Sequence, residues 1–169
     1  LVTAIEEIQS LNHPGLLQTF LRAIRKILSG EIQEQMAKQK QWASEEDYRA
    51  IIAGKSGELF AVSCRMGMLL QTSDTDLLDG VYTVGMQAGM AYQIVDDCYD
   101  YLNVYRDKRA FDDLKNGLYT LPLIYAYQRS TSAQRERIAQ IMRAEYKSTD
   151  DCRCILHMLY EHECLRDSF

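Results

Sequence analysis

The chain has 169 residues and a mass of 19.5 kDa, with 47% hydrophobic residues, 25% charged residues and a formal net charge of −5 at pH 7. This composition is typical of a soluble globular protein and excludes intrinsic disorder. Two prolines and nine glycines are too few for the many turns of an all-β protein, so a mostly helical fold is favoured. An acidic chain has no basic field to attract a nucleic-acid backbone, and no nucleic-acid partner is expected.

The cysteines and the hydropathy indicate the compartment. Five cysteines form no C-x-x-C pair and no zinc-like spacing with histidine, which argues against a disulfide framework and a structural zinc site. No segment approaches the length of an uninterrupted apolar span, and the first ten residues lack the cationic and apolar regions of a secretory signal. The sequence therefore predicts a cytoplasmic protein without a transmembrane segment.

In chain order, apolar residues recurring every three or four positions predict a series of helices in one all-α domain over residues 1–169. Short connecting segments that contain helix-capping or helix-breaking residues separate these helices. The predicted helices are 1–11, 16 to about 40, 45–53, 55–70, 76–102, one that restarts at 120–122, one capped by Thr131 or Ser132 that runs to about 144, and one capped by Thr149 or Asp150 that runs to about 165.

Three details of this pattern bear on the fold. Ser44 and Asp47 form a predicted capping box for the third helix. The fourth helix is apolar nearly all round, which predicts that it is buried on several sides. The longest helix, which Asp74 or Thr75 caps, contains three glycines that would let a neighbouring backbone or a ligand approach closely. These are Gly80, Gly85 and Gly89.

An acidic stripe lies late in the longest predicted helix. Gln93, Asp96, Asp97 and Asp100 are spaced i, i+3, i+4 and i+7, so they share one helix face. Three carboxylates on one face repel one another, and clustered hard oxygen ligands suit Mg²⁺. A solvated acidic helix end would also produce an isolated DDxxD pattern. The charged segment over 103–119 follows directly and is the predicted functional loop.

Three blocks carry a resemblance to a known family. GKSGELFAVSCRMG, AYQIVDDCYDY and DKRAFDDLKNGLYTLPLIYA resemble, in order and spacing, the C-terminal half of the trans-isoprenyl diphosphate synthases, also called polyprenyl synthetases. The resemblance covers most of residues 1 to about 128. It implies an all-α helical bundle of the isoprenoid synthase type around a deep cavity. The chain resembles such a bundle without its N-terminal helices and its last helices.

The resemblance also implies a reaction. In this family, Mg²⁺ ions held by two facing aspartate-rich motifs clamp an allylic diphosphate, whose ionisation releases pyrophosphate. Isopentenyl diphosphate attacks the allylic cation, and loss of a proton completes head-to-tail elongation. The implied metal ligands are Asp96, Asp97 and Asp100, the implied diphosphate ligands are Lys55, Gln93 and Lys108, and Asp113 is implied to act behind them. No catalytic residue is implied beyond these metal and diphosphate ligands.

Several departures from the family pattern leave alternatives open. The sequence has no second DDxxD motif, and Glu34, Phe111 and Leu118 stand where the family commonly has glutamine, glycine and lysine. One alternative is a noncatalytic or regulatory subunit of a prenyl synthase. Another is a prenyltransferase of the same fold that acts on a non-isoprenoid acceptor. The resemblance implies a homo-oligomer, commonly a dimer, or a hetero-oligomer.

Overall fold

The computed structural model describes residues 1–38, 42–102 and 110–169. The described residues form ten α-helices and no strand, which confirms the predicted all-α class. The helices are α1 (Val2–Ser10), α2 (Leu16–Lys38), α3 (Glu45–Ile52), α4 (Glu58–Leu69), α5 (Thr75–Leu102), α6 (Asp112–Lys115), α7 (Leu121–Arg129), α8 (Ser132–Arg143), α9 (Thr149–Glu161) and α10 (Cys164–Ser168).

Side-chain caps define several helix starts. The Ser44 hydroxyl accepts from the Asp47 N–H and the Asp47 carboxylate accepts from the Ser44 N–H, so the predicted capping box of α3 is confirmed. Of the alternatives left open for α5, Asp74 is the cap, because its carboxylate accepts from the N–H groups of the first turn. Thr131 caps α8 in a second capping box.

Three boundaries differ from the prediction. Residues Ala53–Gly57 form a π-helical turn, so α4 begins at Glu58 and not at residue 55. Ser148, and neither Thr149 nor Asp150, caps α9, because its hydroxyl accepts from the N–H three positions later. The last predicted helix is interrupted at Glu163, whose φ of 52° lies in the left-handed region.

The backbone contacts divide the chain into two compact units. The first unit contains Leu1–Ile32 and Ala50–Ala91, and the second contains Gln33–Arg49 and Tyr92–Phe169. That residues 1–169 form a single helical domain stays a prediction.

Glycines set the close helix contacts of the first unit. A Cβ atom added at Gly85 of α5 would lie 2.8 Å from the Cα of Ala61 in α4, and one added at Gly89 would lie 2.8 Å from the carbonyl oxygen of Ser56. These two glycines therefore permit the predicted close approach of a neighbouring backbone. At Gly80 an added Cβ would meet no atom of the described residues within 4 Å, so no neighbouring backbone approaches closely there.

The fourth helix is less buried than its composition predicts. Ala61 and Val62 are buried, but Leu59 and Leu70 are exposed to 53% and 46%. The prediction that α4 is covered on several sides is therefore wrong. One side meets α5 through the close glycine contacts, while part of the apolar surface faces outward.

A larger apolar core lies in the second unit. Helices α7, α8, α9 and α10 surround it, and each buried aliphatic side chain contributes about 1.5–3 kcal/mol. At its edge, the indole ring of Trp42 stacks on Tyr127 with ring centroids 3.8 Å apart and meets Tyr119 edge-on at 4.9 Å. The side chains buried completely in this core include Leu114, Leu123, Ile138, Ile155 and Leu159.

No helix in the described ranges combines the length and the apolar character needed to cross a membrane.

Candidate metal and diphosphate site

The last turns of α5 carry the acidic stripe, and Asp97 is its buried member. Asp97 is 4% exposed. The Gln93 amide donates to its Oδ1 at 2.7 Å, as expected for residues four apart on one helix face. The Tyr48 hydroxyl from α3 donates to its Oδ2 at 2.8 Å. Both carboxylate oxygens therefore accept a hydrogen bond from a fixed neighbour.

Opposing effects act on the charge of Asp97. The pKa of its carboxyl group is raised to about 6, chiefly by burial and to a smaller extent by the charges of Asp96 and Asp100. The hydrogen bonds from Gln93 and Tyr48 act in the other direction, because they stabilise the ionised form. The two donors thus offset part of the cost of keeping a carboxylate in a buried position.

Asp100 connects the end of α5 to the start of α6. Its Oδ1 accepts from the Asp112 N–H at 2.9 Å and its Oδ2 from the Asp113 N–H at 3.2 Å. Burial raises the pKa of Asp100, and these two backbone donors lower it. The backbone carbonyl of Asp100 also accepts from the Phe111 N–H at 3.1 Å. Three successive N–H groups therefore fix the orientation of this residue.

Phe111 precedes α6 with a φ of 64°, in the left-handed region. This is the position where the resemblance leads one to expect glycine, which adopts that conformation without steric cost. The phenylalanine ring is 6% exposed and meets Tyr101 edge-on, with ring centroids 6.1 Å apart. The turn retains a glycine-type conformation although a large side chain occupies it.

Asp113 is repelled by the charges of four other acidic residues. Its pKa is raised to about 7, chiefly by burial and then by the charges of Asp97, Asp100, Asp96 and Glu34, in that order. Four acids thus act on a fifth in one region of the second unit. Carboxylate oxygens are the ligands that Mg²⁺ prefers, and a divalent cation would relieve this repulsion. The donor atoms present are therefore of the chemical type that suits such an ion.

The carboxylates are not gathered into a closed metal cage. Within residues 1–38, 42–102 and 110–169, no three His, Cys, Asp or Glu side chains lie close enough together to hold an ion. Asp97 and Asp100 accept internal hydrogen bonds, whereas Asp96 is exposed on the same helix. The assignment of these three aspartates as metal ligands stays a prediction.

The two predicted lysines have different outcomes. Lys55 lies in the π-helical turn of the first unit, where its Nζ is 3.2 Å from a carboxylate oxygen of Glu31. The turn packs closely on α2, because a Cβ atom at Gly30 would lie 2.9 Å from the backbone nitrogen of Lys55. Lys108 lies outside the described residues. Gln93 lies with the aspartates in the second unit, whereas Lys55 belongs to the first unit.

Two contributors to the site were missed at the level of sequence. Tyr48 lies in α3, and nothing in its spacing indicates a partner 49 positions away. Glu34 departs from the family pattern, and its charge acts on Asp113 across a long sequence separation. Tertiary packing, and not helix periodicity, brings Tyr48 and Glu34 near the aspartates.

Comparisons with known proteins agree with this architecture. The profile of the Polyprenyl synthetase family matches residues 1–159. The chain is 30% identical over 128 residues to heptaprenyl diphosphate synthase component 2 of Bacillus subtilis. The aligned region covers 75% of this chain and 37% of that protein. The chain is also 28% identical over 137 residues to octaprenyl diphosphate synthase of Escherichia coli, covering 80% of this chain and 42% of that one.

A solved structure gives a close match as well. The crystal structure of a polyprenyl synthase from Caulobacter crescentus, complexed with calcium and isoprenyl diphosphate, superposes with a TM-score of 0.90 at 28% identity. The match covers 98% of this chain and 51% of that one. The chain thus spans about half of this structure and less than half of the two curated relatives. The family match and the shared fold lead to one conclusion: the chain belongs to the polyprenyl synthetase family.

Proposed function

We propose that the chain contributes the second aspartate-rich motif of a prenyltransferase that condenses an allylic diphosphate with isopentenyl diphosphate. The reaction extends the allylic chain head to tail and releases pyrophosphate. The observation that supports this most directly is the group of carboxylates around Asp97 and Asp113, whose mutual repulsion favours a divalent cation. Membership of the polyprenyl synthetase family supports the same reaction class.

The proposed roles follow from the surroundings of each residue. Gln93 and Tyr48 fix the orientation of Asp97 and favour its ionised form, and the N–H groups of Asp112 and Asp113 do the same for Asp100. Asp96 is exposed and available to a cation from solvent. When bound, Mg²⁺ would stabilise the negative charge on the departing diphosphate. The ammonium groups of Lys55 and Lys108 are proposed to contact the diphosphate oxygens.

The test is Mg²⁺-dependent binding of an allylic diphosphate, followed by turnover with labelled isopentenyl diphosphate. We expect Asp96→Asn and Asp97→Asn each to weaken the Mg²⁺-dependent affinity by at least about tenfold, because a ligand to the ion is lost. Asp150→Asn is the matched control, since that aspartate is in the same unit with a side chain 90% exposed. Affinity that does not depend on Mg²⁺, or that falls equally in the control, would contradict the proposal.

A second candidate is a subunit that acts with a partner chain. The name of the Bacillus subtilis relative, which is a component 2, favours this possibility. Leu118 adds support, because the family commonly has a lysine there. A chain that binds the allylic diphosphate but shows no turnover alone would favour the subunit. A homodimer with turnover would favour the complete synthase.

We also propose a cytoplasmic location. All five cysteines are free thiols, which suits a reducing compartment. Rapid labelling of every thiol in unfolded protein taken from cells would agree with this, and recovery of a disulfide would contradict it.

A further inference from the structure

The second unit contains a cavity of about 670 Å³ between the start of α6 and the start of α9. Its size falls in the range of pockets that bind small organic molecules. The aspartates of the candidate metal site are not among its lining residues. The lining residues on which the inference depends are Phe111, Lys115, Tyr146, Lys147, Arg153 and Leu156.

Lys147 is the most unusual of these residues because it is a buried cation. It is 6% exposed, and its Nζ donates to the backbone carbonyl of Ala144 at the end of α8 at 2.9 Å. No carboxylate of the described residues forms an ion pair with it. Burial lowers the pKa of its ammonium group, as expected for a charge that has lost its hydration. A lysine has three donors, so this group has capacity for an anionic ligand.

Lys115 provides a second ammonium group in the same cavity. Its Nζ donates to the carbonyl of Ala110 at 2.7 Å, and in the described part of the chain it too lacks an ion pair with a carboxylate. Arg153 adds a third positive charge, although it also contacts Asp150 at 3.3 Å on the surface. Glu145 is the acidic residue among the described lining residues. The cavity is therefore cationic in a chain with a net charge of −5.

Part of the remaining wall of the cavity is apolar. Phe111, Tyr146 and Leu156 offer a surface against which a hydrocarbon group would lose water. We propose that this cavity binds a phosphate-bearing anion, with the phosphate on Lys115 and Lys147 and any organic part against the apolar wall. The cavity adjoins the proposed metal and diphosphate site, because the charge of Lys115 acts on Asp100. None of the aspartates lines the cavity, and the proposal does not depend on the proposed activity.

Calorimetric titration with two probes in the presence of EDTA tests the proposal. The probes are inorganic phosphate and hexyl phosphate, and EDTA removes the metal that the aspartate site would need. We expect saturable binding that Lys147→Met and Lys115→Met each weaken by about tenfold or more, because each removes a charged donor. Tighter binding of hexyl phosphate would identify an organic phosphate as the ligand, and equal affinities would identify free phosphate.

Three controls keep the test specific. Lys38→Met removes a lysine elsewhere in the same unit and should leave the affinity unchanged. Asp97→Asn should also leave it unchanged, which separates this site from the proposed function. If Lys147→Met does not fold, Lys147→Arg should retain binding while Lys115→Met loses it. Absence of saturable binding for both probes, or an equal loss with Lys38→Met, would overturn the proposal.

Discussion

At the scale of single residues, Tyr48 is a positioning partner that the acidic stripe needs. Its hydroxyl group is one of two side-chain donors to the buried carboxylate of Asp97. A buried carboxylate that loses a donor retains the cost of desolvation without its compensation. The energetic importance of Tyr48 therefore depends on the carboxylate beside it and not on the tyrosine ring.

We expect Tyr48→Phe to lower the free energy of unfolding by about 1–3 kcal/mol, because it leaves one oxygen of Asp97 without its donor while the ring volume is kept. Urea denaturation measures the change. Tyr160→Phe, at a tyrosine that is 58% exposed in the same unit, should change stability by less than about 0.5 kcal/mol. Equal effects of the two substitutions would contradict the assigned role.

Phe111 makes two opposing contributions to the free energy of unfolding. Phe111→Gly should relieve a left-handed conformation that costs about 1–2 kcal/mol, but it should also lose a buried ring worth about 3–5 kcal/mol. The second effect is larger, so we expect a net destabilisation of roughly 2 kcal/mol in chemical denaturation. A stabilised variant would mean that backbone strain outweighs the packing of the ring.

At the scale of helices, capping residues fix where α9 begins. Ser148 and Asp151 form a reciprocal box, and the Asp151 carboxylate also contacts Arg137 of α8 at 2.6 Å. The hydrogen bonds from Ser148 lower the pKa of Asp151, with a smaller contribution from Arg137. This cap therefore also connects α9 to the neighbouring helix.

We expect Ser148→Ala to destabilise the protein by about 0.5–2 kcal/mol at neutral pH. The lowered pKa of Asp151 means that its contribution is complete above its usual value of 3.8 and is lost as the pH falls through the folded-state pKa. The difference between wild type and Ser148→Ala should therefore narrow below about pH 4. Thermal unfolding across this range measures it, and a difference independent of pH would contradict the coupling.

The glycines of α5 offer a matched pair of substitutions. Gly80→Ala should stabilise the protein by up to about 1 kcal/mol, because the added methyl group meets open space and alanine favours the helix. Gly85→Ala should destabilise it by about 1–3 kcal/mol, because the methyl group would meet backbone atoms of α4 at 2.8 Å. The midpoint temperatures of thermal unfolding of both variants measure these effects. Stabilisation by Gly85→Ala would contradict the prediction and show that the two helices separate easily.

Features that local rules determine are predictable from the sequence. Helix periodicity and caps predict the extents of α2, α3 and α5 closely, and a spacing of four residues predicts that Gln93 lies beside Asp97. Features that depend on tertiary packing are not predictable in this way. The contact between Tyr48 and Asp97 joins separate helices, and the outward surface of α4 depends on what its neighbours leave uncovered. The short helix α6 lies within a charged segment where periodicity predicts a loop. It forms there because Asp100 accepts hydrogen bonds from its first N–H groups.

At the scale of the whole molecule, the first unit presents an apolar groove between α4 and α5. Its volume is about 590 Å³, and its wall includes Gly67 and Gly80. Leu77 and Val84 also line it and are exposed to 53% and 65%. Contiguous exposed apolar surface of this kind promotes association. The solution state of the chain should therefore depend on this groove.

We expect the 169-residue chain to self-associate in sedimentation velocity experiments, and Val84→Lys to shift it toward the monomer, because a charge in the groove opposes burial. Tyr160→Lys changes an exposed aromatic residue in the second unit and should leave the association unaltered. A monodisperse monomer of the wild-type chain would contradict the expectation.

The stacking of Trp42 on Tyr127 gives the molecule its own optical reporter. Trp42 is the one tryptophan of the sequence and belongs to the second unit, so its emission follows the packing of that unit alone. Circular dichroism, in contrast, follows the helices of both units. If fluorescence and ellipticity lose half their amplitude at the same denaturant concentration, the two units melt as one cooperative body. Separated midpoints would instead assign each transition to its unit without any added label.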